Sequence, residues 1–267
     1  MRLLTWNINH RAKVKRIPPG LTKALAALTP DVVVLTEYVP SPSRAEFLRD
    51  LDSIGLKHRC ESPYSPGQNH VLIASHHRLE EGSFRAPAIH ESVPSNTLHV
   101  CLPGDGLEIL GVRLPDFSKR PPLRREWWDW ILTTACALRD RPFAILGDFN
   151  TDPCYPPAKC GDRIATLVAM GWQHATPPEG ASYRTPTGRE RRLDHCFVSG
   201  HFRVQCSSYV WEVGPYVLLG KAAGALSDHA ALVVELHPAE ETRSEGLLTT
   251  LLAFPPEDRT NVACRQR

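Results

Sequence analysis

The sequence predicts an α/β fold in a single domain, and three observations carry that prediction. Short apolar, β-prone runs end in polar tips: Trp6-Asn7-Ile8-Asn9, Leu35-Thr36-Glu37 and Gly147-Asp148-Phe149-Asn150. Runs that stop at Gly or at polar residues mark buried strands ending in turns. Amphipathic stretches with apolar residues three and four apart lie between them, which is helical spacing. The 267 residues are 42% hydrophobic, enough for a sizeable core, and neither an internal repeat nor a linker divides them.

Residues 3–8 read as the first strand, with the Asn7 and Asn9 amides on one face because they are two apart. A short helix follows over 21–28, with Leu21, Leu25 and Leu28 at i, i+4 and i+7, and Pro30 ends it. Residues 31–37 set four apolar β-formers ahead of Glu37. An amphipathic helix is expected over 44–54, and strands over 71–75, 97–102 and 107–114, between Pro/Gly-rich turns. The strongest helix covers 123–138, where Trp127, Trp128, Trp130, Ile131 and Leu132 form a very apolar body. Its tryptophans are expected to pack on a sheet, a nucleobase platform being the other reading.

The run Phe143-Ala144-Ile145-Leu146 leads to Gly147 and then to Asp148 and Asn150, which share a face while Phe149 points into the packing. A short helix over 164–170 precedes a Pro/Gly-rich loop holding Ser182-Tyr183-Arg184 and then Arg189, Arg191 and Arg192. Strands over 192–198, with Asp194 near the start, and over 230–236, after Ser227-Asp228-His229, complete a domain of residues 1–237. Residues 238–267 read as a polar tail, with 247–254 the one stretch apolar enough to dock as a helix.

A net charge of +2 identifies no partner. Arginine outnumbers lysine 24 to 7, and arginine is the better bidentate phosphate ligand, although a GC-rich genome produces the same bias. The eight cysteines (60, 101, 136, 154, 160, 196, 206 and 264) include no Cys-x-x-Cys pair. No apolar stretch is long enough for a secretory leader, and none approaches the roughly 20 residues that span a bilayer. The expectation is a soluble, cytoplasmic chain with free thiols, no membrane span and no obligate protein partner.

The polar tips define the candidate chemistry. If a sheet gathers Asn7, Asn9, Glu37, Asp148, Asn150, Asp228 and His229, with Asp194 in support, several carboxylates share one pocket. Like charges that close do not all stay ionised without a compensating cation. A hard, oxygen-ligated ion such as Mg²⁺ meets that need. Asp194 beside His229 forms an oriented acid/base or electrostatic pair. For the stretch around Asp148 taken alone, an Asp/Asn turn capping the next segment is an equal reading.

Five motifs in this order, Trp6-Asn7-Ile8-Asn9, Leu35-Thr36-Glu37, Gly147-Asp148-Phe149-Asn150, Arg192-Leu193-Asp194 and Ser227-Asp228-His229, resemble the endonuclease/exonuclease/phosphatase superfamily with its DNase I-like fold. The resemblance runs from Met1 to about His237. It implies a four-layered α/β/β/α sandwich of two facing mixed sheets, with the site at one edge. It also implies that Glu37 binds Mg²⁺ or Mn²⁺ with Asn7 and Asn9, while Asp228 completes the metal or water network. Asp148 would then orient or deprotonate the attacking water, Asn150 would hold the scissile phosphate, and His229, oriented by Asp194, would stabilise the developing charge.

Two departures bear on the substrate. Many members of that superfamily carry a histidine where this chain reads Gly111-Val112-Arg113-Leu114-Pro115. Arg113 cannot serve as a general acid at ordinary pH, but it can clamp a phosphate oxygen. Abasic-site endonucleases lack that histidine too, but open the following helix with a tyrosine, where this chain has Arg124-Arg125-Glu126. The segment between Asn150 and Tyr183 is also short for an abasic-site enzyme. Arg124, Tyr183 and Arg184 are the expected phosphate or substrate contacts, and Arg120, Arg125, Arg189, Arg191 and Arg192 extend a basic groove for nucleic acid. The leading expectation is a Mg²⁺-dependent nuclease. A hydrolase of a small phosphate ester and a catalytically silent binding module are the competing readings.

Overall fold

The computed structural model describes residues 1–9, 17–40, 44–220 and 224–239. The expected helix at 247–254 falls outside the described residues. The first half runs through β1 (Arg2–Asn7), α1 (Pro19–Leu28), β2 (Val32–Tyr38), α2 (Ala45–Ser53), β3 (His58–Glu61) and β4 (His70–Ser75). Next come β5 (Glu80–Glu81), α3 (Ser92–Ser95), β6 (Thr97–Leu102), β7 (Leu107–Arg113), α4 (Pro121–Leu138), β8 (Phe143–Asp148) and α5 (Asp162–Ala169). The chain ends through β9 (Gln173–His174), β10 (Tyr183–Arg184), β11 (Glu190–Arg191), β12 (Asp194–Val198), β13 (Phe202–Val210), β14 (Glu212–Val213), β15 (Tyr216–Val217) and β16 (Ala231–Pro238).

Two six-stranded mixed sheets result, in the orders β13-β16-β1-β2-β4-β3 and β5-β6-β7-β8-β12-β9. Three apolar clusters define four layers. One set of inward residues (Leu3, Val34 and Ile73 against Ile109, Leu146 and Val198) joins the sheets face to face. The alternate residues of the first sheet, Leu4, Trp6 and Leu35, pack on Leu21, Leu25 and Phe47 of α1 and α2. Those of the second, Val112, Phe143 and Ile145, pack on Trp127, Trp128, Ile131 and Leu167 of α4 and α5. Strands covered on both faces read as unbroken apolar runs, which is why β2 and β8 show no alternation in sequence. Trp127 and Trp128 are fully buried against the second sheet, as their spacing predicts. The fold is an α/β sandwich of the DNase I type.

The sheets share one plan. In each, the pairings from edge to edge are antiparallel, antiparallel, parallel, antiparallel and antiparallel. The parallel pair is β1–β2 in the first sheet and β7–β8 in the second, each crossing over through one helix. The sequence contains no repeat at this spacing, so the duplication lies in topology alone. Periodicity does not reveal β13 because a bulge between Val204 and Cys206 breaks its alternation and reverses the face of every later side chain.

Candidate functional site

The tips of the two parallel pairs meet where the sheets face each other. Asn7 and Glu37 come from the first pair, Arg113 and Asp148 from the second. They are tied crosswise. Asn7 Nδ2 donates to Asp148 Oδ2 at 2.9 Å, while Arg113 donates through Nη2 (2.7 Å) and Nε (3.1 Å) to Glu37 Oε1. Each carboxylate is therefore held by a side chain of the opposite sheet.

Local backbone geometry aims these groups. Glu37 has φ 59° at a bulge between Leu35 and Tyr38, and Asn9 and Asn150 have φ 52° and 47°. A glutamate in the left-handed region is strained, and such strain is kept where surrounding contacts over-determine it. Gly147 has φ 148°, and a Cβ there would sit 1.8 Å from the Val112 carbonyl oxygen. Only glycine allows β7 and β8 to approach closely enough to set Asp148 beside Arg113.

Asp148 is buried and accepts three bonds. Besides Asn7, the Asn150 amide N–H reaches Oδ1 at 2.9 Å and Asn150 Nδ2 reaches Oδ2 at 3.1 Å. Burial, reinforced by the nearby Asp194 charge, lifts the Asp148 carboxyl to about 7 despite His229 and Arg113. Asn150 also spends Nδ2 on the Leu114 carbonyl at 2.8 Å, so its amide fixes Asp148 more directly than it faces the cavity. His229 Nδ1 lies 2.7 Å from Asp194 Oδ2. Burial pulls the imidazole down, but Asp194, Asp148 and Asp228 outweigh it and raise His229 to about 10. Asp194 sits at the start of β12, opposite Asp148 in the ladder. Trp6 Nε1 holds the His229 carbonyl, and the Ser227 hydroxyl accepts from the His229 amide while donating to Asn7 O.

Asn7, Glu37, Asp148, Asn150 and His229 line a cavity of about 590 Å³, together with Asp228, Arg124 and Tyr183. Burial raises Asp228, and Glu37 adds to the effect. The Tyr183 ring lies 5.0 Å from the His229 ring. Arg124 is 7% exposed and donates to Asn150 O at 3.3 Å, with Asp116 at 3.9 Å. Four predicted residues lie outside this lining: Asp194, buried behind its bond to His229, Arg113, Asn9 and Arg184. Asn9 is not among the lining residues, and its N–H instead donates to Asn7 Oδ1 at 2.8 Å. Arg184 turns outward onto the Trp211 ring at 4.8 Å and onto Glu190 at 2.8 Å. Arg113 is engaged on a carboxylate rather than held open for a phosphate.

The donor set suits a hard divalent cation. Glu37, Asp228 and Asn7 bring oxygen donors to the cavity, and Asp194 Oδ1 is buried without a hydrogen-bond partner among the described residues. His229 lies within 4.8 Å of Asp148 and Asp194 but, protonated and bonded to Asp194 through Nδ1, offers a metal no lone pair. Oxygen-rich sites of this kind favour Mg²⁺ or Mn²⁺. His99, Cys101 and Glu108 form a second close group, but His99 Nδ1 accepts the Phe84 amide N–H. That fixes the proton on Nε2, the atom facing Glu108, and so closes it to a metal. The described cysteines are all unpaired, and no helix among the described residues is long and apolar enough to cross a membrane.

Sequence reasoning missed Tyr155 and Lys159, which line the same cavity from the loop after Asn150. They sit in the Pro-rich stretch Cys154-Tyr155-Pro156-Pro157-Ala158-Lys159, which carries no periodic signal.

Among solved structures, the chain resembles an AP endonuclease from Archaeoglobus fulgidus, with 17% identity, a TM-score of 0.68, and coverage of 88% of this chain and 98% of that one. It also resembles a 3′ phosphatase from Neisseria bound to a product DNA hairpin (20% identity, TM-score 0.65, 89% and 99% covered). A third similar structure is an endonuclease/exonuclease/phosphatase from Beutenbergia cavernae (20% identity, TM-score 0.64, 89% and 71% covered). At these identities the likeness is one of fold. Comparison of the sequence with curated proteins finds no match. The model of the endonuclease/exonuclease/phosphatase family matches residues 4–229, a span that takes in every strand tip of the site, and the chain belongs to that family.

Proposed function

We propose that the chain is a divalent-metal-dependent phosphodiester hydrolase acting on nucleic acid, a nuclease of DNA or RNA. The observation that carries this reading is the convergence of Glu37, Asp148, Asp228 and His229 on one cavity, with the buried Asp194 bonded to His229. Glu37, Asp228 and Asn7 Oδ1 would hold Mg²⁺ or Mn²⁺. When bound, the ion offsets phosphate charge and lowers the pKa of water.

The remaining work falls to side chains. Asp148, lifted to about 7, is poised to take the proton of the attacking water near neutral pH. Asn7 and Asn150 hold its two oxygens in place. His229, raised to about 10, carries its second proton at neutral pH, so Nε2–H can donate to a phosphate oxygen as charge develops. Asp194 fixes that imidazole through Nδ1. Arg124 and Tyr183 line the cavity where the phosphate would enter.

Nucleic acid is favoured over a small ester because the cavity continues on both sides. A depression of about 620 Å³ shares Asp116, Phe117 and Ser118 with it and adds Arg113 and Arg120, and one of about 270 Å³ shares Asp228 and adds Arg184. The test is hydrolysis of duplex, single-stranded and abasic DNA, RNA and phospholipid head groups, with and without Mg²⁺. Turnover of nucleic acid that stops in excess chelator is expected. Activity unaffected by chelator, or confined to head groups, refutes the proposal.

A further inference from the structure

Tyr155 collects positive charge at the wall of the cavity. Lys159 Nζ lies 5.4 Å from its ring centre and the Arg191 guanidinium 5.6 Å, so two cations share one ring. Burial raises the Tyr155 phenol, and the nearby Arg191 and Arg124 charges act against that rise. Neither Lys159 nor Arg191 forms an ion pair among the described residues, and the buried Arg124 has only Asp116 at 3.9 Å. Three cations thus lie near one tyrosine, with the Asp152 carboxylate acting on the same phenol. Like charges held together in this way favour an incoming anion.

The loop is built to keep this arrangement. Asp152, 4% exposed, accepts the Cys154 amide through one oxygen and the Arg192 amide through the other, tying the loop to the strand that follows Arg191. A Cβ at Gly161 would lie 2.1 Å from the Tyr155 carbonyl oxygen, so the loop closes tightly behind the ring. Two of the chain's own cations lie over the Tyr155 ring, so this wall of the cavity offers positive charge beside a hydroxyl.

We propose that Tyr155, Lys159 and Arg191, with Arg124 between them and Asn150, form a second anion subsite for a phosphate group one unit away from the scissile one. The shared chemistry is a second phosphate on the substrate, supplied either by the neighbouring phosphodiester of a strand or by a terminal phosphomonoester. Recognition through charge on a phosphate is independent of base identity. The inference rests on the phosphodiester-hydrolase reading, and its test includes a measurement that needs no turnover.

A fluorescently labelled single-stranded oligodeoxynucleotide and a nucleoside 3′,5′-bisphosphate are bound in chelator to wild type, Lys159→Gln and Arg191→Gln. Each substitution is expected to weaken binding about tenfold, the size of one charge-assisted contact. An oligonucleotide whose neighbouring linkages are neutral methylphosphonates is expected to bind equally weakly to all three proteins. Weakening seen with the oligonucleotide assigns the second phosphate to a neighbouring diester, and weakening confined to the bisphosphate assigns it to a terminal group. Unchanged binding of both ligands overturns the subsite. In turnover, the variants are expected to raise KM for the oligonucleotide about tenfold more than for bis(p-nitrophenyl) phosphate, which has no second anion. Equal effects on both substrates also overturn it. Failure of wild type to hydrolyse any diester with Mg²⁺ or Mn²⁺ refutes the hydrolase reading instead, and leaves the binding result standing.

Discussion

Arg113→Ala separates the structural work of this arginine from any contact with substrate. Arg113 places two N–H groups on Glu37 Oε1, and the two side chains are only 12% and 9% exposed. Removing one partner of a buried pair leaves an uncompensated charge, at a cost of about 3–5 kcal/mol when burial is complete. Residual solvent access here brings the expected loss to about 2–3 kcal/mol, or about 4–12 °C in Tm for a domain of this size. A divalent cation at Glu37 would supply the missing positive charge. Saturating Mg²⁺ or Mn²⁺ is therefore expected to raise the Tm of the variant more than that of wild type and to restore most of the loss. Thermal unfolding in chelator and in metal, for wild type, Arg113→Ala and Glu37→Gln, measures this directly. Equal metal-induced shifts in wild type and Arg113→Ala would show that the guanidinium and the metal do not meet at Glu37, and the reasoning would fail.

Gly147→Ala places a methyl group 1.8 Å from the Val112 carbonyl oxygen at φ 148°, and is expected to cost more than about 3 kcal/mol in urea unfolding or to abolish folding. His195 and His174 share a 3.0 Å contact, and His195 Nε2 donates to Thr151 O at 2.8 Å. Burial depresses them to about 4 and about 3, and His195 adds to the lowering of His174. Above pH ~6.5 both folded and unfolded chains hold them neutral. Below it only the unfolded chain gains protons, so stability should fall by about 2–3 kcal/mol per histidine between pH 6.5 and 4, and His195→Gln should flatten that slope in urea titrations. Cys154→Ser with Cys160→Ser should leave turnover within a few fold while costing about 1 kcal/mol at the buried Cys160. Loss of activity with release of bound zinc would refute the view that the thiols are inert.

Much of this site was legible because strand tips carry their chemistry in sequence. Glu37, Asp148, Asp194 and His229 each follow or open an apolar run, and each lies where that run predicts. Asn9 was misplaced because two-residue spacing holds only while the strand continues, and the backbone turns left-handed there. Arg113 was read as facing phosphate because nothing local to Gly111-Val112-Arg113 encodes a partner 76 residues away. The Tyr155 loop was invisible for a different reason: its order comes from Asp152 and Gly161 contacts rather than from periodicity.

The crosswise ties between Asn7 and Asp148 and between Arg113 and Glu37 make the site a property of the docked pair of sheets. Either half on its own, however well its strands are formed, lacks the group that aims its acid. A nascent or partly opened chain is thus expected to be chemically silent, and hydrolytic competence arrives only with the final packing of the core. For a phosphate-ester hydrolase, that coupling is a safeguard: damage to either core disarms the site before the unfolded chain has spread.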